Sequence, residues 1–351
     1  MRLSFLLYLI VCCPLIAGDL SDKQMRRLGL SKKELVCATS FIKRNGVKGS
    51  VFTKKQTHLP CVIERISGDR FVIRAVGKRA CIIGFGAHKR VQKAVLYDGR
   101  PTIIACCQCD ETVEKEIEIV KRLQSSKGIV RYVGDRLQGD VRLLYLQYFS
   151  EGCLLQNLGK RFLQKDVVQI ARDLVEGLSA VHSLGLLHRD LHEGNVLLSK
   201  RKEGGYSAVL SDFGHVLSLE ESKGRVAQCQ SMKIPPDTLI APLEALDGYA
   251  GEVYSLGMLL YSLAYGKYPS WAGLFDYKKL SQERVLHSEE FARVVELYDQ
   301  EKREKLRGVE EKEQLGLSLN DYERFQTCLF SMLSPLSRDR PSLDRVRAVL
   351  R

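Results

Sequence analysis

The stretch that decides the fold is HRDLHEGNVLL, which spans residues 188–198. Its Asp190 carboxylate can accept a proton from a hydroxyl group, and the carboxamide of Asn195 can hold a metal ion. An apolar strand is predicted to follow directly. Further along the chain, the sequence SDFG at residues 211–214 supplies a second metal-binding carboxylate, Asp212. Two short motifs at this spacing rarely arise by accident, so together they indicate one functional site.

The two motifs resemble the catalytic loop and the metal-binding loop of eukaryotic-type protein kinases. The resemblance implies an α+β class and a bilobal fold, with a small β-rich N-lobe and a larger helical C-lobe. It also implies ATP and Mg²⁺ as cofactors, with Asp190 as a catalytic residue and with Asn195 and Asp212 as metal ligands. The implied partner is a protein substrate of unknown identity, with a serine or threonine hydroxyl favoured over tyrosine.

The chain of 351 residues is long enough for one such domain and a segment before it. We predict a basic N-terminal extension over residues 19–75 and a kinase domain over residues 76–351. Within that domain the N-lobe is expected at residues 76–148 and the C-lobe at residues 149–351.

Hydrophobic periodicity places the elements inside each lobe. The N-lobe strands are predicted at residues 80–84, 91–96, 101–107, 129–133 and 141–147, with a helix at residues 112–123. In the C-lobe, Asp166 is expected to cap a helix. Residues 253–265 are apolar nearly all round and predict a buried central helix. Residues 281–315 are expected to be charged, helical and exposed.

The glycine-containing sequence IGFGAHKRV at residues 83–91 indicates the nucleotide side of the site. Glycine lets backbone amides approach a phosphate group closely. A lone GxG is weak evidence, and an ordinary hairpin turn is the alternative. Its place before a predicted strand and upstream of the catalytic loop favours phosphate binding. By resemblance, the ATP-binding residues are Ile83, Gly84, Gly86, Lys89, Val91, Ala105, Gln147, Tyr148 and Leu197.

The third predicted N-lobe strand departs from the family, because Cys107 stands where kinases carry a phosphate-binding lysine. One interpretation is a pseudokinase that binds or scaffolds without catalysis. The other is a likeness to the With-No-Lysine kinases, which have Cys at this position and Lys at the third glycine position, here Lys89. Adjacent strands lie about 5 Å apart, so Lys89 can reach the same phosphates. Glu116 matches the helix glutamate that would pair with this lysine, and both are therefore predicted catalytic residues.

Other departures keep alternatives open. His192 is shared with some small-molecule phosphotransferases, whereas Arg189 favours the protein kinases. Glu252 stands where kinases carry an Asp that supports the catalytic loop, and its greater length predicts a looser anchor. Arg340 is expected to pair with Glu244, as the corresponding residues do in kinases.

Charge and hydropathy suggest where the chain acts. The formal net charge is +12, but no basic stripe interleaved with aromatic residues accompanies it, so nucleic acid is not an expected partner. Residues 19–56 are locally basic and fit either an anionic membrane surface or a solvated linker. Residues 1–18 contain an apolar run shorter than the ~20 residues of a spanning helix, which predicts a signal peptide or a hydrophobic anchor. The chain is therefore expected to be membrane-associated or secreted. The lysines and arginines that follow the run favour a cytoplasmic side.

Overall fold

The computed structural model describes residues 28, 30–45, 51–52, 61–76, 78, 80–85, 89–109, 113–139, 141–160, 162–225, 233–276, 279, 286–307 and 318–351. The predicted signal peptide or anchor at residues 1–18 lies outside these residues. The chain divides into two compact units, one made of Met1–Glu118 with Arg131–Tyr148 and the other of Ile119–Val130 with Phe149–Arg351. The first is rich in strands and the second in helices, which confirms the predicted α+β class.

An eight-stranded sheet forms most of the first unit. Helix α1 (Lys32–Asn45) precedes the sheet in the chain. The strands are β1 (Val51–Phe52), β2 (Cys61–Ser67), β3 (Arg70–Ala75), β4 (Ile82–Phe85), β5 (Lys89–Tyr97), β6 (Pro101–Cys109), β7 (Tyr132–Gln138) and β8 (Val141–Gln147). The strand order is β1-β2-β3-β5-β6-β8-β7, and β4 also pairs with β5. All the pairings are antiparallel.

Strand β5 lies at the centre of this sheet because two successive segments pair along one of its edges. Its first half pairs with β4 and its second half with β3, while its other edge pairs with β6 over the whole length. The predicted strand at residues 129–133 is displaced to Tyr132–Gln138 in the structure.

The extension predicted for residues 19–75 contributes α1, β2 and β3 to this first unit, which the sequence did not indicate. Apolar side chains from α1 pack with β2, β3 and the far end of β5 into one core. A second core lies around Ala94, Cys106 and Tyr145. Hydrogen bonds from Arg136 to the Arg65 carbonyl and from Arg70 to the Val133 carbonyl, both 3.0 Å, connect β7 to β2 and β3. The added strands are therefore part of the same folded body.

The predicted N-lobe helix is α2 (Glu114–Leu123), and Thr112, its predicted start, lies outside the described residues. Ile117, Val120 and Leu123 are buried at helical spacing. Acidic residues lie in the first turn and basic residues in the last, which suits the helix dipole. Its first half belongs to the first unit.

The second unit consists mainly of helices. Its elements are α3 (Gln164–Ser183), β9 (Leu186–Leu187), β10 (Val196–Lys200), β11 (Tyr206–Leu210), β12 (Leu217–Ser218), α4 (Leu219–Ser222), α5 (Gly248–Tyr265), α6 (Ser288–Arg307), α7 (Leu319–Met332) and α8 (Leu343–Leu350). The strands form two antiparallel pairs, β10 with β11 and β9 with β12.

Helix α5 is the buried central helix predicted for residues 253–265, and it begins earlier. The Asp247 side chain caps it by accepting hydrogen bonds from the backbone N–H groups of Tyr249 and Ala250. The helix ends at Gly266, whose φ of 68° favours glycine. The expected cap at Asp166 is wrong, because α3 begins at Gln164 after the N-cap residue Leu163, and Asp166 is buried in the first turn.

Of the predicted stretch 281–315 the structure describes residues 286–307, and helix α6 covers residues 288–307 of it. Its charged side chains are mostly exposed, whereas Val294 and Tyr298 are buried. None of the helices within the described ranges is long and apolar enough to cross a membrane.

Candidate active site

The predicted catalytic carboxylate is held by the asparagine of the same loop. Asn195 Nδ2 donates hydrogen bonds to the backbone oxygen and to Oδ2 of Asp190, each at 3.0 Å. A short 3-10 helix, Glu193–Asn195, produces this approach. Arg189, directly before Asp190, has a φ of 65°, a left-handed conformation that is uncommon for a residue with a side chain. The loop therefore brings the two predicted functional groups together through local geometry.

His192 orients the same carboxylate. Its Nδ1 accepts a hydrogen bond of 3.0 Å from the backbone N–H of Gly194, so the proton of the neutral ring lies on Nε2. Nε2 lies 3.4 Å from Asp190 Oδ2. Burial raises the pKa of Asp190, but the hydrogen bond from His192 and the electrostatic effect of the surrounding histidines outweigh burial, and the pKa lies below its usual value. Asp190 is thus held in the ionised form that can accept a proton.

Glu252 anchors the backbone of the loop directly, although its length predicted a looser anchor. Its Oε1 accepts a hydrogen bond of 2.5 Å from the backbone N–H of Arg189. Its other oxygen lies 2.8 Å from His182 Nε2, and the His182 ring also packs against Tyr249. Burial raises the pKa of Glu252, but His182, His188 and the Arg189 N–H favour the carboxylate, so the pKa is lowered. His182 fixes the second oxygen, which compensates for the longer side chain.

The SDFG loop is joined to the catalytic loop through Asn195. The backbone N–H and the hydroxyl of Ser211 both donate to the carbonyl of Asn195, at 2.9 and 3.0 Å. Asp212 has a φ of 61°, and Gly214 N–H approaches its Oδ1 at 3.4 Å. Phe213 is buried against the ring of His188. The two predicted metal ligands therefore belong to adjoining, hydrogen-bonded segments.

Asn195 and Asp212 form a donor set that suits a divalent cation. The amide nitrogen of Asn195 is used by Asp190, which leaves the amide oxygen as the atom for a metal. Amide and carboxylate oxygens are the ligands that Mg²⁺ prefers, and it usually binds one or two carboxylates together with water and phosphate oxygens. The residues present thus fit the implied metal.

In the first unit, Lys89 and Glu116 form an ion pair. Lys89 Nζ lies 2.7 Å from both carboxylate oxygens of Glu116. The Glu116 side chain is 3% exposed and the Lys89 side chain 18% exposed, so solvent screens the pair only partly. Strand β5 supplies the lysine and helix α2 the glutamate, as the sequence predicts.

Cys107 lies on β6, directly opposite Val91 of β5 in the strand register. It is buried, and burial raises the pKa of its thiol well above the ordinary value, while the charge of Lys89 opposes that shift. The thiol is therefore neutral at physiological pH and carries no charge to a phosphate.

Most of the other predicted nucleotide residues lie in the first unit. Gly84 pairs with Val91, and Ala105 pairs with Leu146. Ile83 is on β4, Gln147 ends β8 and Tyr148 follows it. Leu197 is on β10 of the second unit. Gly86 lies outside the described residues.

Arg340 has a buried acidic partner that the sequence did not indicate. It forms a buried ion pair with Asp237, with 3.1 Å between Nη2 and Oδ1, and it also donates to three backbone carbonyls. The Glu244 side chain lies outside the described residues. Asp237 Oδ2 accepts a further hydrogen bond from the Ser337 N–H. The segment after SDFG is thus fixed to the C-terminal part of the second unit.

Sequence reasoning missed a buried pair, Lys233 and Glu193. Lys233 is fully buried and donates to Glu193, which also accepts hydrogen bonds from the hydroxyls of Ser262 and Tyr268. Glu193 follows His192 in the HRDLHEGNVLL motif, so its place in the catalytic loop could be predicted. Its partners could not, because they are distant in sequence. The pair holds the end of the segment after SDFG against the catalytic loop. His182, the partner of Glu252, was missed for the same reason.

The family model for the protein kinase domain matches residues 83–349. The chain therefore belongs to the protein kinase family. It is 32% identical over 171 residues to calcium-dependent protein kinase 27 of Arabidopsis thaliana, covering 46% of this chain and 34% of that protein. Mitogen-activated protein kinase kinase 7 of the same plant is 32% identical over 162 residues, covering 44% of this chain and 50% of that protein. Serine/threonine-protein kinase pakG of Dictyostelium discoideum is 30% identical over 156 residues, or 42% of this chain and 13% of that protein. The chain spans half or less of the length of these relatives.

Proposed function

We propose that this protein is an active protein kinase that transfers the γ-phosphoryl group of ATP to a serine or threonine hydroxyl of a protein substrate. The observation that carries the proposal is the contact of Asp190 with Asn195, together with the two bonds from Ser211 to the Asn195 carbonyl. Phosphoryl transfer requires positioning and charge neutralisation more than covalent chemistry. The family match and the word serine/threonine in a relative's name support the acceptor class.

Each residue has a role in this proposal. ATP and Mg²⁺, when bound, supply the phosphoryl group and offset its charge. Asp190 orients the acceptor hydroxyl and takes its proton, since its low pKa keeps it ionised. Asn195 and Asp212 would hold the Mg²⁺. Lys89 offers an ammonium to the phosphates, and Glu116 fixes its position at 2.7 Å.

A pseudokinase is the second candidate, because Cys107 is a buried neutral thiol at the position of the family lysine. A small-molecule kinase is a third, because His192 contacts Asp190.

Purified full-length protein is incubated with Mg²⁺ and ATP, alone and with a generic protein substrate, choline or sugars. Phosphate on this protein or on the protein substrate, detected by mass spectrometry, supports the leading proposal. Nucleotide binding without transfer supports the pseudokinase, and phosphate on a small molecule alone supports the third.

We further propose that residues 1–18 act as a signal peptide or hydrophobic anchor and that residues 19–56 contact an anionic membrane surface. Exposed Lys32 and Lys33 on α1 support the second part. Sedimentation with phosphatidylserine vesicles, compared with phosphatidylcholine vesicles, tests this contact. Reversing the charge of both lysines should reduce binding to the anionic vesicles alone. Cell fractionation with and without residues 1–18 distinguishes anchoring, secretion and a cytoplasmic location.

A further inference from the structure

A second lysine, Lys93, lies on the sheet face that carries the predicted nucleotide residues. Strand β5 pairs with β6 in one continuous register, so Lys89, Val91 and Lys93 point to the same face. Lys93 lies directly opposite Ala105, another predicted nucleotide residue. It is 6% exposed, which is unusual for a lysine. The face thus holds two cations on one strand.

The Lys93 ammonium has an aromatic ring as its neighbour and no acidic partner. Its Nζ lies 4.5 Å from the centre of the Tyr148 ring, a cation–π contact. No carboxylate or hydrogen-bond acceptor among the described side chains pairs with it. The ring covers one side of the ammonium and accepts no hydrogen bond in its plane, so the N–H donors remain available to a ligand.

The two lysines lie at different ends of the predicted nucleotide path. Four residues of strand separate them by roughly 13 Å. Lys89, beside Glu116, lies at the phosphate end, whereas Lys93 lies against Tyr148, at the end of β8 where the base is expected. A donor at the phosphate end recognises charge, and a donor at the base end discriminates between purines.

The chemistry of an ammonium determines which purine it prefers. Lysine has three donors and no acceptor. One edge of guanine presents two acceptors, N7 and O6, whereas the same edge of adenine presents the N7 acceptor and an N6 amino donor. Lysine therefore matches guanine at this edge and opposes the amino group of adenine.

We propose that Lys93 determines base specificity and that this protein accepts GTP in addition to ATP, through a hydrogen bond from Lys93 to the 6-carbonyl of guanine. The inference rests on the proposed nucleotide-dependent function and deepens it. Lys93 acts at the base, so its effect is expected on nucleotide affinity and on the ratio of GTP to ATP use.

The test compares binding of non-hydrolysable ATP, GTP and inosine triphosphate analogues, with Mg²⁺, to full-length wild type and variants by calorimetry. Inosine has the 6-carbonyl but lacks the 2-amino group of guanine. The variants are Lys93→Met, Lys93→Arg and Arg90→Met, the last removing a cation from an exposed position on the opposite face of β5. Lys93→Met replaces a buried cation with an apolar chain of similar length, so the fold is expected to persist, and thermal unfolding checks this.

Wild type is expected to bind the GTP and inosine analogues at least as tightly as the ATP analogue. Lys93→Met should weaken binding of the GTP and inosine triphosphate analogues about tenfold, while changing the affinity for the ATP analogue by less than about threefold. Lys93→Arg should retain most of the preference, and Arg90→Met should leave all three affinities unchanged. If the ATP analogue binds and the ratio of GTP-analogue to ATP-analogue affinity is the same in wild type and Lys93→Met, the inference is wrong and the proposed function is unaffected. If wild type binds none of the three, the proposed function fails and the inference fails with it.

Discussion

Lys89 Nζ lies 2.7 Å from both carboxylate oxygens of Glu116. Lys89 is on β5, the strand that pairs with the Cys107-bearing strand β6. Strand β5 therefore presents an ammonium next to β6, the strand on which the sequence comparison expected one. A glutamate that is almost fully buried fixes it there, and a charge held in this way acts more strongly than one in solvent. This relationship motivates the choice of an active kinase over a pseudokinase.

Lys89→Met is predicted to abolish phosphoryl transfer and to weaken ATP binding, because a charge-assisted contact with phosphate is lost. Cys107→Ala is the matched control and should change turnover little, because the thiol is neutral. Glu116→Gln should partly reproduce Lys89→Met. The double variant Lys89→Gly with Cys107→Lys should recover some activity by returning the ammonium to β6. Wild-type turnover in Lys89→Met, measured with radiolabelled ATP, would contradict the assigned role.

The Glu252 anchor predicts a pH-dependent stability. Its pKa in the folded protein lies below the ordinary value of 4.5, so its contribution is present above pH 4.5 and is lost as the pH falls through the folded pKa. Glu252→Gln should therefore destabilise the protein at pH 7 by about 1–3 kcal/mol. The difference from wild type should shrink below pH 4.5.

Chemical unfolding of wild type, Glu252→Gln and Glu296→Gln at pH 7 and pH 4 measures this dependence. Glu296 is an exposed glutamate paired with Arg293 on α6, and its variant should differ little from wild type at either pH. A Glu252→Gln effect of the same size at both pH values would show that the carboxylate charge does not stabilise the loop.

The extension is predicted to be essential for the stability of the first unit. Glu64 of β2 is fully buried, where it accepts hydrogen bonds from Arg74 at 2.9 Å and from the Tyr145 hydroxyl at 3.0 Å. Glu64→Gln leaves the Arg74 cation without its buried partner, which should cost about 3–5 kcal/mol. The control is Glu114→Gln, which breaks an ion pair with Arg142 at a glutamate that is 57% exposed and should cost less than about 1 kcal/mol. Equal unfolding midpoints for the two variants would contradict a structural role for the extension.

Local motifs and family resemblance were sufficient to predict much of the candidate active site from the sequence. The contact of Asp190 with Asn195 follows from one loop, and the pairing of Lys89 with Glu116 follows from two short patterns and the resemblance. The buried helix α5 follows from continuous apolar composition. These features depend on residues close in sequence, or on a pattern that the family shares.

Features that depend on distant partners could not be predicted. Strand β2 buries Glu64 among apolar neighbours, so its pattern does not alternate, and the stabilising Tyr145 lies 81 positions away. The ion pair of Arg340 with Asp237 joins residues about 100 positions apart, and no local pattern indicates it. The longer Glu252 predicted a loose anchor because its second partner, His182, lies 70 positions away.

Phosphoryl transfer by wild type and by Asp190→Asn, with Mg²⁺ and ATP, tests the assigned role of Asp190. Mass spectrometry of the protein and of a generic protein substrate measures the transfer. Asp190→Asn removes the proton acceptor but keeps the hydrogen-bonding shape, so ATP binding should remain nearly intact. Asp212→Asn, in contrast, should also lose metal-dependent ATP binding. We expect serine or threonine phosphorylation by wild type and none by Asp190→Asn. Equal phosphorylation by the two proteins would contradict that role.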